Sequence, residues 1–146
     1  MEPILSAPGA APVLNLGSSL LAHRVRSEQT GGAFSVVEFL SQPGEGVGLH
    51  IHENEEELVY LLEGRIDVTL GEQTMTVETG ACALLPRGIP HGFVNSGTST
   101  SRLLAILTPG RLDEFFVRLS EELAQMRPHE EPIAALCQAY GIRFVD

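Results

Sequence analysis

Lysine is absent from this chain of 146 residues: its nine basic residues are all arginine, set against nineteen Asp and Glu. That absence removes Schiff-base chemistry, a lysine-anchored pyridoxal cofactor and a P-loop from consideration. The net charge of −10 argues against nucleic acid and anionic membrane surfaces as partners, since both need a basic footprint. Cysteine is scarce too. Cys82 and Cys137 lie far apart in different kinds of segment, form no disulfide framework and fit a reducing, cytoplasmic setting. Cys82 sits in an apolar run and reads as a small core residue. No apolar run approaches the roughly 20 residues of a membrane span. Residues 1–12 lack the charged and then apolar layout of a secretory signal, so a soluble protein is expected.

What is present is a hydrophobic share of 43%, enough for one domain with a real core. From Val13 to Thr108, short β-branched runs alternate with Gly, Pro, Asn and Ser clusters, the pattern of an all-β barrel or sandwich. The predicted strands are 20–27, 33–40, 47–52, 57–62, 65–70, 73–77, 81–85, 91–96 and 102–107. Gly71-Glu72 reads as a two-residue hairpin turn. Residues 1–12 form a loosely ordered arm, 13–108 the barrel and 109–146 a helical tail packed on it, in one domain overall. In the tail, Leu112 to Met126 has helical apolar spacing and stops before Pro128; a shorter helix starts near Pro132 and ends at Gly141. Their apolar faces read as core or dimer packing rather than a lid.

Two histidine-bearing blocks carry the chemistry. The first runs from Gly44 through His50, His52 and Glu57 to Gly64; the second runs from Gly80 through Pro86, Gly88 and His91 to Asn95. On a strand His50 and His52 project to the same side. Glu57 follows a polar turn made of Glu53, Asn54 and Glu55, so its carboxylate can return beside the histidines. Glu53, Glu55 and Glu56 read as a solvated face. His91, Phe93 and Asn95 share one face of a further strand, beyond the turn Pro86-Arg87-Gly88. Three imidazoles and a carboxylate suit one divalent transition ion per chain, Fe, Mn, Co, Ni, Cu or Zn, and leave coordination positions open. Phe93 is either pocket-lining or core. Asn95 holds its hairpin, Tyr60 points away from Glu57, and His23 and His129 are ordinary surface groups.

The spacing of these blocks resembles the two motifs of the cupin superfamily, with every motif position met at the residues just named and an intervening segment of 15 residues, Arg65 to Thr79. The run from Leu107 to Leu119 and the ending from Leu136 to Phe144 resemble the helical tail of quercetin-dioxygenase-like bacterial cupins. The resemblance implies a double-stranded β-helix barrel of jelly-roll type with His50, His52, Glu57 and His91 as metal ligands. It also implies a homodimer, in which Val13 to Leu16 crosses to a neighbour.

Three functions follow as expectations. The first is a metal-dependent, quercetinase-like dioxygenase acting on a small hydroxylated or enolisable organic substrate, with Glu57 as ligand and base. The second is a non-catalytic metal-containing protein that binds or senses a small molecule. The third is an oxygen-independent isomerase or decarboxylase acting on a small oxygenated acid.

Overall fold

The computed structural model describes residues 1–145. The described chain contains β1 (Val13–Asn15), β2 (Leu20–Val25), β3 (Ser35–Ser41), β4 (Gly46–His52), β5 (Glu56–Glu63) and β6 (Arg65–Leu70). These are followed by β7 (Gln73–Glu78), β8 (Cys82–Leu85), β9 (His91–Asn95), β10 (Ser101–Thr108), α1 (Leu112–Leu123), α2 (Glu130–Tyr140) and β11 (Ile142–Phe144). The strands form two antiparallel sheets, ordered β1-β2-β3-β10-β5-β8 and β11-β4-β9-β6-β7. Their facing sides enclose the core, and the result is the expected double-stranded β-helix. Leu21, Val37, Leu61, Ile66, Leu103 and Leu107 lie at its centre. Burying each of these side chains is worth about 1.5–3 kcal/mol.

Consecutive strands do not all pair with one another. β4 lies in the five-stranded sheet and β5 in the six-stranded one, so the chain crosses between sheets at Glu53–Glu55. Glu57 therefore faces the histidine strand across the barrel rather than standing beside it. The β4–β9 pairing slips between Val47 and His50, and two glycines make the close approach possible. A Cβ on Gly46 would meet Val94 Cα at 2.8 Å, and one on Gly92 would meet the Val47 carbonyl at 2.9 Å.

The helices differ from expectation at their ends. α1 closes at Leu123, three residues before Met126, because Pro128 disfavours the helical conformation at Arg127 and the last turn frays. α2 begins at Glu130, which places Pro132 inside the first turn, and Gly141 caps it with φ of 68°. Asp113, the second residue of α1, is buried. Its Oδ2 accepts hydrogen bonds from Ser27 N (2.9 Å) and Ser27 Oγ (3.0 Å), which ties the helix to a 3₁₀ turn at Ser27–Thr30. No helix among the described residues is long and apolar enough to cross a membrane.

Three expectations about individual side chains are overturned. Cys82 is exposed, because it opens the edge strand β8 with its side chain on the outer face opposite Tyr60. Glu55 is only 2% exposed and so belongs to no solvated face, although its neighbour Glu56 does pair with Arg87 at 2.6 Å near the surface. His23 is half-buried between β2 and α1, with an Nε2 that has no hydrogen-bond partner. Val13–Asn15 pairs with β2 of its own chain, and arm residue Ser6 is held by Arg24, which donates to its Oγ at 2.9 Å and its carbonyl at 2.8 Å.

Candidate metal centre

His50 and His52 project inward from β4, one pleat apart, and His91 faces His50 directly in the β4–β9 register. All three are buried. One ligand atom from each lies within 4.8 Å of the others, a cluster that could hold a metal ion. Glu57 reaches the same point from the opposite sheet: its Oε2 is 3.3 Å from His91 Nε2 and 3.8 Å from His52 Nε2. The four side chains named from sequence thus converge, two sheets contributing to one point.

Hydrogen bonding orients the donors. A backbone carbonyl can only accept, so the 2.7 Å contact between His50 Nδ1 and the Gly48 carbonyl places the ring proton on Nδ1 and leaves the Nε2 lone pair facing inward. His91 Nδ1 approaches the Ile89 carbonyl at 3.3 Å in the same sense. His50 Nε2 and His52 Nε2 stand 2.9 Å apart. Two neutral imidazole lone pairs at that distance repel unless a proton or a cation lies between them. His91 Nε2 is buried with no hydrogen-bond partner of good geometry, although Glu57 is near. A buried donor atom with an unused lone pair, beside two others and a carboxylate, is what a borderline transition ion needs. The residues fit the group.

Electrostatics agree. Burial drives the His52 pKa down to about 4, with Glu57 opposing the shift, so the ring is neutral at pH 7 and free to ligate. Burial and then the neighbouring His91 lower His50 as well. Burial works against the Glu57 charge, but His91, His52 and His50 outweigh it and hold the carboxyl below its usual range. Glu55 behaves differently: burial raises it to about 7, against the pull of Arg111 and Arg87.

The cluster opens into a cavity of about 290 Å³. Its walls are apolar, including Phe39, Phe93, Phe115, Phe116, Leu119 and Ile133. Phe93 is thus a cavity residue, and it also packs edge-on against Phe39 at 6.1 Å. The tail helices do more than fill the core, since Leu119 and Leu123 of α1 and Ile133 and Cys137 of α2 form one wall of the cavity. An amphipathic face has the same spacing whether it closes a core or lines a void, so the sequence does not distinguish the two. β11, whose Phe144 lies opposite His50 in register, is not predicted from the sequence, since three residues are too few for alternation to be read.

Fold and site together define a class: a small double-stranded β-helix whose two sheets bring three histidines and a carboxylate together in the wall of an apolar cavity. A family model described as "Cupin domain" matches residues 37–107, and the chain belongs to the cupin superfamily. "Polyketide synthase CurC" of Streptomyces cyaneus is 33% identical over 48% of this chain and 46% of its own. Quercetin 2,3-dioxygenase of Bacillus subtilis (strain 168) is 25% identical over 62% of this chain and 27% of its own. The chain spans about half the length, or less, of these curated relatives. KdgF from a Halomonas species superposes with a TM-score of 0.68 at 16% identity, covering 76% of this chain and 99% of that one, a likeness of fold.

Proposed function

We propose that the protein is a metal-dependent dioxygenase of the quercetinase-like type, acting on a small, uncharged, hydroxylated or enolisable organic substrate. The observation that carries this reading is the contrast within the cavity: a cluster of metal-ligating side chains in its wall and, among the described residues, no arginine anywhere in its lining. With no lysine in the chain, no cationic side chain there pairs with a substrate carboxylate or phosphate, which would have only the metal ion as counter-charge. That disfavours the alternative of an isomerase or decarboxylase acting on a small acid. The likeness to a quercetin 2,3-dioxygenase supports the choice.

In this reading His50, His52, His91 and Glu57 hold one divalent ion, which when bound supplies Lewis acidity toward a substrate hydroxyl or enol oxygen. Among the described residues, Glu57 is the one carboxylate lining the cavity. Its depressed pKa keeps it ionised, and the carboxylate oxygen not engaged with the ion would accept the proton that the substrate oxygen gives up. The Nδ1–H bond to the Gly48 carbonyl keeps His50 in a single tautomer. The phenyl and leucyl walls exclude water, which protects the deprotonated substrate from reprotonation. Molecular oxygen is the oxidant and supplies both atoms that enter the product.

A purely ligand-binding role is favoured by one fact: among the described residues, Ser18 and Cys137 are the only other side chains with a polar atom in the lining. Oxygen uptake separates the two. Protein loaded in turn with Fe, Mn, Co and Ni is expected to consume O2 with at least one flavonol, catechol or 1,3-diketone, and Glu57→Gln to slow that uptake by about 10²–10⁴-fold. Binding of such compounds without uptake under any metal would leave the sensing role standing instead.

A further inference from the structure

We infer that Phe144, on the last strand, is a specificity-determining residue: its ring forms one jaw of the cavity mouth and stacks on a planar, unsaturated part of the substrate. This deepens the reading above, since it takes a substrate anchored by oxygen at the histidine cluster as its starting point.

Four observations place the residue. First, β11 extends the metal-ligand sheet at its edge, with Phe144 paired to His50 and Val145 N donating to the Leu49 carbonyl at 3.0 Å, so the ring is held at a fixed position along β4. Second, the Phe144 ring lies 5.6 Å from the His50 imidazole with the planes tilted by 40°, which puts it one ring's breadth from a ligand of the centre. Third, Phe144 lines the cavity and yet is 58% exposed, so most of its surface has no protein cover. Fourth, the neighbouring strand residue is Gly48, itself exposed; a Cβ there would come only to van der Waals distance, 4.0 Å, from Phe144 Cε1. The space above the ring is left open by the absence of a side chain.

Leu119, Leu123 and Ile133 of the two tail helices line the same cavity with partly buried aliphatic surface. A flat molecule with an oxygen at the centre leaves the cavity between this aliphatic wall and the Phe144 ring. The slot suits a planar ring better than a flexible polar chain, because neither wall offers a hydrogen-bond partner. Aromatic pairs at centroid distances of 4.5–7 Å gain enough beyond simple burial to change affinity by roughly three- to tenfold.

The test compares two metal-binding probes on Zn-loaded protein, where no redox turnover intervenes: 3-hydroxyflavone, which is planar and fluorescent, and acetohydroxamic acid, which is small and aliphatic. Phe144→Ala is expected to weaken 3-hydroxyflavone about tenfold, counting lost burial with lost stacking. Phe144→Tyr should keep wild-type affinity, and acetohydroxamic acid should bind all three proteins equally, with zinc content unchanged throughout. Equal weakening of both probes overturns the inference, because it would mean that Phe144 acts only by bracing His50. Unchanged 3-hydroxyflavone binding in Phe144→Ala overturns it too. If acetohydroxamic acid binds wild type and 3-hydroxyflavone does not, the inference falls while the metal centre stands. If neither probe binds wild type, the metal-centred reading falls and takes the inference with it.

Discussion

Replacing Asn95 by alanine should lower the unfolding free energy by about 3 kcal/mol, a large share of the 5–15 kcal/mol that holds a domain folded. The side chain is 2% exposed, and each of its polar atoms is used. Nδ2 donates to the Ser41 carbonyl at 2.9 Å and to the Ser99 carbonyl at 2.8 Å, while Oδ1 accepts from Gly97 N at 2.9 Å. The Asn95 backbone adds two more links: Gly44 N donates to its carbonyl at 2.9 Å, and its N–H donates to the Glu45 carbonyl at 2.7 Å. Alanine would take the partner from three backbone groups, and the buried Ser41 carbonyl at the end of β3 would keep only the long 3.5 Å contact from Ser101 Oγ. Asn95 thus locks together the first residue of one histidine block and the last residue of the other, at strand ends away from the metal. Urea unfolding of the two proteins measures the difference. A loss below about 0.5 kcal/mol would mean that water satisfies those groups in the variant.

The second large effect is pH-dependent, and it is visible only when two opposing titrations are separated. In metal-free protein, His52 has a folded pKa of about 4 against 6.5 for an unperturbed imidazole. The unfolded chain binds more protons across that interval, so the His52 contribution is fully present above pH 6.5 and is lost as pH falls toward 4. The span corresponds to about 3 kcal/mol, with His50 acting in the same direction. Glu55 has the opposite sign. Its folded pKa of about 7 lies above the ordinary 4.5, so its contribution is fully present below 4.5 and is lost as pH rises toward 7. The two slopes overlap and largely cancel in the wild type. Glu55→Gln should therefore gain stability relative to wild type as pH rises from 4.5 to 7, and its own stability should fall steeply on acidification through the histidine window. Denaturant unfolding of chelator-treated protein across pH 4–8 reads both curves, and a flat difference between them would contradict the account of Glu55.

The site was legible from the sequence because its signal is local. A strand alternates faces, so His50 and His52 share a side whatever the rest of the chain does, and the turn at Pro86–Gly88 delivers His91 to a strand that pairs with β4. The burial of Asn95 and the outward position of Tyr60 follow from the same parity. What was not legible is non-local. Glu53 to Glu57 is a run of acids broken only by Asn54, and nothing in it distinguishes a surface turn from a crossover between sheets. The crossover is what buries Glu55 and brings Glu57 in from the opposite wall. Cys82 shares an apolar run with Leu84 and Leu85, yet β8 is an edge strand, and its outward residues have no layer above them. The spacing of Leu112, Phe115, Phe116 and Leu119 specifies a buried helix face and leaves unspecified that part of it borders a cavity.

The central claim is that His50, His52, Glu57 and His91 bind one transition metal ion. Elemental analysis of protein purified without added metal or chelator tests it most directly, with His50→Ala and Glu57→Ala prepared alongside. The expected result is about one equivalent of a single transition metal per wild-type chain, a loss of most of it in His50→Ala, and a smaller loss in Glu57→Ala, where three imidazoles still converge. Metal content in His50→Ala equal to that of wild type would contradict the account.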